Sequence, residues 1–213
     1  MRRQKQMEAK ERIIKEARGL FFKLGIRSVT MDDIAAQVGM SKKTLYQHFE
    51  DKDELVELVV AFETNRMQQD CHACANTAEN AVEEIFKTME MVTQHFRNMN
   101  PMVLFDMHKF HGKAFAKFME HKNIFLLDFI STNLKRGVSE GNFRQDIKID
   151  ILAKFRLESM MLAFNMEAFP PAKYNVAEVT ITMIETFLYG LATASGFKLI
   201  EQYKAKKNTI QAQ

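Results

Sequence analysis

The sequence predicts an all-α protein, with a small three-helix domain at the N-terminus and a larger helical domain after it. Apolar residues recur at the three- and four-residue spacing of helix faces along almost the whole chain. The 213 residues include only three Pro and eight Gly, which leaves long stretches without helix breakers. No segment alternates between apolar and polar residues as a half-buried strand does.

The N-terminal domain is predicted to begin with an amphipathic helix over about residues 7–24, which Gly25 ends as a left-handed C-cap. Thr30 has the position of an N-cap, and Asp33, three residues later, completes a variant of the capping box. These two residues predict a short helix over residues 31–38.

Gly39 separates that helix from a second short one, predicted over residues 42–48 and capped by Ser41. Asp51, with Glu54 at the third helical position, caps the next helix. The predicted helices that follow are about 52–72, 78–99, 101–112, 115–140, 147–168 and 175–203.

The two short helices have the layout of a helix-turn-helix, whose second helix enters the major groove of DNA. Five small or apolar residues can interlock between them as a small core: Ile34, Ala35, Val38, Leu45 and Phe49. Any two short helices with a glycine between them share this layout. The layout by itself therefore leaves a generic helical pair open.

A longer pattern surrounds the two helices and is more specific than their layout. It consists of Arg12, Ile14, Ala17, Leu20-Phe21, Gly25, Thr30, Ile34-Ala35, Val38-Gly39-Met40-Ser41, Thr44-Leu45-Tyr46-x-His48-Phe49 and Lys52-Asp53-x-Leu55. This ungapped pattern resembles the TetR (tetracycline-repressor) family of transcriptional regulators. Lys43 departs from it, because the family usually has a small residue there, often glycine.

The resemblance implies a helix-turn-helix DNA-binding domain over residues 1–52 and an effector-binding and dimerisation domain over residues 53–213. It implies a homodimeric regulator, a repressor, on a palindromic operator of double-stranded DNA. A small apolar or amphipathic effector is expected to release it. Residues 1–52 carry 12 Lys and Arg against 7 Asp and Glu, a net +5, which suits a domain that meets a polyanion or simply a solvated basic helix.

Residues at the start of a recognition helix face base edges, which makes Lys42, Lys43 and Thr44 candidates for base readout. Lysine can donate to guanine O6 and N7, and the threonine methyl can contact thymine. The resemblance assigns phosphate contacts to Thr30, Tyr46, His48 and Lys52. Tyr46 is also a candidate for half-burial against the core, and Arg2, Arg3 and Lys5 for a flexible arm on the DNA.

Stripes of Phe and Met in the second domain predict a hydrophobic core first of all. The resemblance adds an effector cavity, and the candidates for its lining are Met89, Phe105, His108, Phe129, Phe155 and Met161. His108 is either a polar anchor for the effector or a core histidine satisfied within the protein.

The last two predicted helices are candidates for a four-helix interface with the helices of a second copy. The spacing Gly190-x-x-x-Ala194 permits close approach of helices, and Met183, Phe187 and Leu191 supply apolar area. A monomer that buries these helices internally remains the alternative.

Cys71, Cys74, His108 and His111 raise a second possible function, a metal- or thiol-sensing regulator on the same scaffold. We expect instead no metal and no cofactor, because one pair of ligands is not a site. An enzyme is not expected, since the sequence lacks a Gly-rich phosphate loop, G-x-S-x-G and H-E-x-x-H. Without a signal peptide or an apolar run of about 20 residues, the protein is expected in the cytoplasm and not in a membrane.

Overall fold

The computed structural model describes residues 2–97 and 99–211, with side chains for residues 4, 6–97 and 99–206. It confirms the all-α fold: the described residues form helices, and their one β-bridge joins Phe143 and Ala192. No helix among them combines the length and the apolar character needed to cross a membrane. The chain divides into two compact units, Met1–Met67 with Asn98–His121 and Gln68–Arg97 with Lys122–Gln213.

The first unit contains the predicted N-terminal helices and two later ones. It comprises α1 (Arg2–Leu24), α2 (Met31–Val38), α3 (Lys42–Leu45), the first part of α4 (Lys52–Thr77), α6 (Met102–Phe110) and α7 (Gly112–His121). The predicted domain boundary after residue 52 falls at the start of α4, whose Leu55, Val56 and Val59 are buried in the core of this unit. Met107 of α6 and Ala114 of α7 belong to the same core.

The predicted caps of the first unit are confirmed in the structure. Gly25 ends α1 in the left-handed region at φ 86°, and Gly39 ends α2 at φ 67°. The Thr30 side chain and the Asp33 side chain each accept from the other's backbone N–H, which is a complete capping box. The helix predicted over 42–48 is shorter, because α3 ends at Leu45 and turns cover residues 46–48.

The second unit contains the end of α4 and the helices after residue 121 together with α5. These are α5 (Ala81–Phe96), a π-helical segment (Lys122–Leu126), α8 (Leu127–Ser139), α9 (Ile149–Leu162), α10 (Val176–Leu191) and α11 (Ala194–Gln211). The helix predicted over 115–140 is observed as an unbroken helical stretch over residues 112–139, but its middle is the π-helical segment, which the sequence did not predict. The predicted end of α4 near residue 72 is five residues early.

The single helix predicted over residues 175–203 is also wrong, because the chain leaves the helical conformation at Ala192 and Thr193. The loop before α9 forms backbone hydrogen bonds with the chain at this break: Arg144 N donates to Leu191 O at 2.9 Å, and Thr193 N donates to Asn142 O at 3.0 Å. Gly190 and Ala194 thus lie on different helices and do not form the predicted small-residue face. Leu191 is buried in the core of its own unit and so does not supply dimer surface.

The same loop is held by a close contact with α8. Phe143 is fully buried, and a Cβ atom on Gly137 would lie 2.0 Å from its ring. Glycine at 137 therefore provides the space that Phe143 occupies.

Candidate nucleic-acid interface

The helix-turn-helix is built from local hydrogen bonds that the sequence specifies. Ser41 Oγ accepts from Thr44 N at 3.1 Å and so caps α3. Arg12 Nη2 donates to Val38 O at 2.5 Å, which satisfies a carbonyl at the end of α2. All five residues of the predicted small core are buried: Ile34, Ala35, Val38, Leu45 and Phe49.

The three candidates for base readout differ in how they are engaged. Lys42 is exposed and pairs with Asp32 at 2.9 Å, a hydrogen bond that raises the pKa of the ammonium. Thr44 is half-buried and its hydroxyl lies 2.8 Å from Ser41 Oγ. Lys43 is exposed, and its ammonium has no hydrogen-bond or ion-pair partner among the described residues. Lys43 is therefore the cation of α3 that is free to bind another molecule.

The candidates for phosphate contact are also placed differently from one another. Thr30 Oγ1 donates to Asp33 Oδ2 at 2.6 Å, and this bond is the main cause that lowers the pKa of Asp33. Tyr46 is 44% exposed, so its ring is only partly buried. His48 is half-buried, with its ring centroid 6.4 Å from that of Phe49. The side chains of the proposed arm, Arg2, Arg3 and Lys5, lie outside those that the structure describes.

Lys52 has an internal partner that sequence reasoning missed. Its Nζ donates to the carbonyl oxygen of Ile26 at 2.7 Å. The N–H of the same peptide group, at Arg27, donates to Oδ2 of Asp106 at 2.8 Å. We call Lys52, Asp106 and the Ile26–Arg27 peptide the loop clamp, because α4 and α6 hold one peptide of the α1–α2 loop between them.

The loop clamp combines burial with opposite charge. Asp106 is 3% exposed, and Gly25 admits it closely, since a Cβ there would lie 3.3 Å from Oδ2. Burial lowers the pKa of Lys52, while the negative charge of Asp106 acts against this shift. An aspartate among the apolar residues Val103 to Met107 was a visible signal in the sequence, but its partner lies 79 residues away.

The six candidates for the effector cavity are divided between the two units. Phe105 and His108 are exposed on α6 of the first unit, and the other four belong to the second unit. Met89 is buried, and Phe129 and Met161 are half-buried. Phe155 is 59% exposed, with its ring centroid 6.1 Å from that of Phe187, so it lies on the surface of the second unit and does not line its interior.

The residues of the proposed sensor site are likewise divided between the units. Cys71 and Cys74 belong to the second unit, and His108 and His111 to the first. His111 Nδ1 lies 2.5 Å from Asp53 Oδ1 and is engaged there. Among the residues that the structure describes, no group of three or more His, Cys, Asp and Glu side chains is arranged to hold a metal ion.

We expect Cys71 to resist alkylation in the native protein. Burial raises the pKa of its thiol to about 12, and the charges of Asp70 and Glu84 add to this. Only the thiolate form of cysteine reacts with iodoacetamide. With a pKa of about 12, about one Cys71 side chain in 10,000 is a thiolate at pH 8. Iodoacetamide labelling followed by mass spectrometry should modify Cys71 only after unfolding in guanidinium. Rapid native labelling, faster than that of the half-buried Cys74, would revive the thiol-sensing function.

A capped helix-turn-helix with an exposed, unpaired lysine at the start of its second helix defines the class of protein: a helix-turn-helix DNA-binding protein. Residues 13–59 match the family described as bacterial regulatory proteins, tetR family. The chain is a TetR-family transcriptional regulator.

The chain is also similar to curated relatives in sequence and to solved structures in fold. The uncharacterized HTH-type transcriptional regulator YvaF of Bacillus subtilis is 33% identical over 107 residues, which cover 49% of this chain and 55% of the relative. The HTH-type transcriptional repressor AcnR of Corynebacterium glutamicum is 24% identical over 161 residues, which cover 75% and 81%. A protein from Saccharomonospora viridis, solved in complex with choline, has the same fold, with a TM-score of 0.74, 18% identity and coverage of 88% and 99%.

Proposed function

We propose that this chain is a homodimeric repressor that binds a palindromic operator and is released by a small apolar or amphipathic effector. The observation that carries the proposal is the free cation of Lys43 at the start of α3, on a helix-turn-helix whose caps are complete. Two such heads on one dimer match major grooves about 34–36 Å apart, or a multiple of that distance.

Base readout is assigned to Lys42, Lys43 and Thr44. Lys43 donates to a guanine edge without first losing an internal partner. Lys42 must break its ion pair with Asp32 before it can bind DNA. Because both side chains are exposed, the loss of this ion pair costs little free energy. The methyl group of Thr44 contacts thymine while its hydroxyl stays with Ser41.

Phosphate contacts are assigned to Thr30, Tyr46, His48 and Lys52, which fix the register of the head on the duplex. Lys52 has a second role in this proposal. One of its three N–H donors holds the Ile26 carbonyl, and the other two remain for a phosphate oxygen.

The dimer surface is assigned to α9 and α10 of the second unit. Ile151, Phe155 and Leu162 are exposed apolar residues on α9, and Phe155 contacts Phe187 of α10. A cluster of exposed large apolar residues is typical of a surface that another protein covers. Met183 and Phe187, both half-buried, keep their predicted place in this interface, and Gly190 is exposed beside them.

Effector binding is assigned to the interior of the second unit, where Met89, Phe129 and Met161 lie. The complex of the Saccharomonospora viridis protein with choline supports a small-molecule site in this fold. An effector releases DNA only if it binds the DNA-free arrangement more tightly than the DNA-bound one. A coupling of about 1–3 kcal/mol would weaken operator binding roughly 5- to 150-fold, and operator DNA would weaken effector binding equally.

We expect Lys43→Gly to change which operator bases are tolerated, and not only the affinity. A good lysine–guanine contact contributes about 1–3 kcal/mol of discrimination, which the variant loses at one position in each half-site. Selection from random duplexes, followed by footprinting on the DNA upstream of the gene, measures this preference.

Lys43→Ala is the matched variant, since it removes the same cation without the backbone freedom of glycine. It should show the same altered preference. The exposed Lys135 of the second unit provides the charge control, and Lys135→Ala should select the wild-type sequence. An unchanged base preference in both Lys43 variants would contradict base readout by this residue.

A further inference from the structure

Arg156 of α9 is a partly buried charged side chain of the second unit that has no counter-ion among the described residues. It lies on the side of α9 that carries the buried residues Ala153 and Leu157, and it is itself half-buried. Its guanidinium makes one long hydrogen bond, from Nη1 to Ser159 Oγ at 3.4 Å. None of its five N–H donors reaches a carboxylate within 4 Å among the residues that the structure describes.

A second cation of the same unit shows how a buried charge is otherwise neutralised. Lys122, in the π-helical segment, is 4% exposed, and its Nζ lies 2.8 and 2.9 Å from the two carboxylate oxygens of Glu158. Glu158 of α9 is thus engaged by Lys122 and is not a partner of Arg156. The fold supplies a carboxylate to one of these two cations and not to the other.

A second unsatisfied polar group lies on the helix that packs against α9. Thr180 of α10 is 4% exposed, and its Oγ1 has no hydrogen-bond partner in the described part of the chain. α10 packs against both α9 and α5, and α5 contributes the buried side chains of Met89 and Val92. Thr180 Oγ1 therefore lacks a hydrogen-bond partner among the described residues, and the guanidinium of Arg156 has only its long bond to Ser159 Oγ.

We propose that Arg156 binds the anionic head group of the effector, a carboxylate or phosphate amphiphile whose apolar body lies among the side chains of α5 and α10. Guanidinium presents paired N–H donors that match a carboxylate or a phosphate, which explains arginine at this position. The inference rests on the proposed function and narrows its effector from apolar or amphipathic molecules to organic anions.

The energetic argument follows from the missing counter-ion. Burial alone lowers the pKa of Arg156 to about 10, which means that the surroundings disfavour its charged form. A half-buried charge without a counter-ion destabilises the ligand-free protein, and a bound anion reduces that cost. A residue that reduces stability without a structural partner is typical of a binding site.

The first test needs no ligand. Arg156→Met keeps an unbranched, flexible side chain and removes the charge, so we expect Tm to rise by at least about 2 °C in a thermal melt of the full chain. Lys135→Met is the matched control, because Lys135 is exposed on α8 of the same unit, outside the proposed dimer surface, and its removal should leave Tm unchanged. A fall in Tm for Arg156→Met would assign the arginine a structural role and overturn the proposal.

The second test uses linear alkyl carboxylates and monoalkyl phosphates with chains of about 8 to 16 carbons, a length that suits a protein pocket of ordinary size. Each anion is compared with the alcohol of equal chain length. At least one anion should raise Tm of the wild type more than its alcohol does. That difference should vanish in Arg156→Met and persist in Lys135→Met. Equal shifts for anions and alcohols in the wild type, or a difference that survives in Arg156→Met, would overturn the proposal.

Operator binding separates this inference from the proposed function. The wild-type protein is titrated with operator DNA in the absence of any amphiphile, and that result tests the DNA-binding proposal alone. If the operator binds and the anions do not outperform the alcohols, only the inference about Arg156 fails. If no operator is found but the anions stabilise through Arg156, the ligand site stands and the repressor proposal fails.

Discussion

Asp106→Ala is expected to weaken operator binding by at least about 10-fold and to lower the free energy of unfolding by about 2–3 kcal/mol. The variant leaves the N–H of Arg27 without its acceptor and removes the negative charge near the half-buried ammonium of Lys52. The α1–α2 loop leads directly to Thr30 and α2, so its displacement moves the helix-turn-helix. Fluorescence anisotropy with operator DNA and urea unfolding measure the two effects.

Two further variants separate the parts of the loop clamp. Asp106→Asn keeps an oxygen acceptor for Arg27 N and loses only the charge. Its operator affinity and its free energy of unfolding should therefore lie between those of the wild type and Asp106→Ala. The double variant Asp106→Asn with Lys52→Met should lose less stability than the sum of the single variants, since both charges leave together. If the losses in the free energy of unfolding are strictly additive, Asp106 and Lys52 do not interact.

The salt dependence distinguishes the clamp from the phosphate contact. Lys52→Met should reduce the slope of log K against log salt by about 0.9 if its ammonium also meets a phosphate. Asp106→Ala should leave that slope unchanged, because it removes no cation. An operator affinity unaffected by Asp106→Ala would contradict a role of the clamp in DNA binding.

Phe155→Asp is expected to raise the dimer dissociation constant by roughly 30- to 1,000-fold, about 2–4 kcal/mol, as for an aromatic residue at the centre of an interface. Phe155 is 59% exposed in the single chain, with its ring centroid 6.1 Å from that of Phe187. A charge at this position therefore damages the proposed interface much more than the fold. Sedimentation equilibrium at micromolar protein measures the dissociation constant.

Ile124→Asp provides the matched control on the second unit. Ile124 is 65% exposed in the π-helical segment, outside α9 and α10, so the same kind of substitution should leave the dimer intact. Phe155→Asp should also lose the tight binding of a palindrome and keep the weaker binding of one half-site. A fully dimeric Phe155→Asp protein would move the interface away from α9.

The sequence was sufficient for features that depend on near neighbours in the chain. The caps at Thr30, Ser41 and Asp51 form hydrogen bonds within three residues, and the core of the helix-turn-helix follows from helical periodicity. The left-handed turns at Gly25 and Gly39 were predictable for the same reason. Lys43 was recognisable by its departure from the family pattern, and its exposure agrees with a contact surface.

Only the tertiary structure decided the features whose partners are distant in the chain. The helix breaks at Ala192 and Thr193 because the loop at Asn142 to Arg144 forms backbone hydrogen bonds with this part of the chain. Helix propensity could not predict the break, since that loop is about 50 residues away in the sequence. Phe155 and Leu191 have similar apolar character, yet the first is exposed and the second buried.

The charged residues divide in the same way. Asp106 meets a peptide 79 residues away, and Lys122 meets Glu158 across 36 residues, while Arg156 meets no carboxylate among the described residues. Whether a buried charge is paired depends on which helices pack together, because electrostatic and hydrogen-bond partners act through space and not along the chain. The helix-turn-helix was therefore predictable from sequence, whereas the loop clamp and the unpaired arginine became visible only in the folded chain.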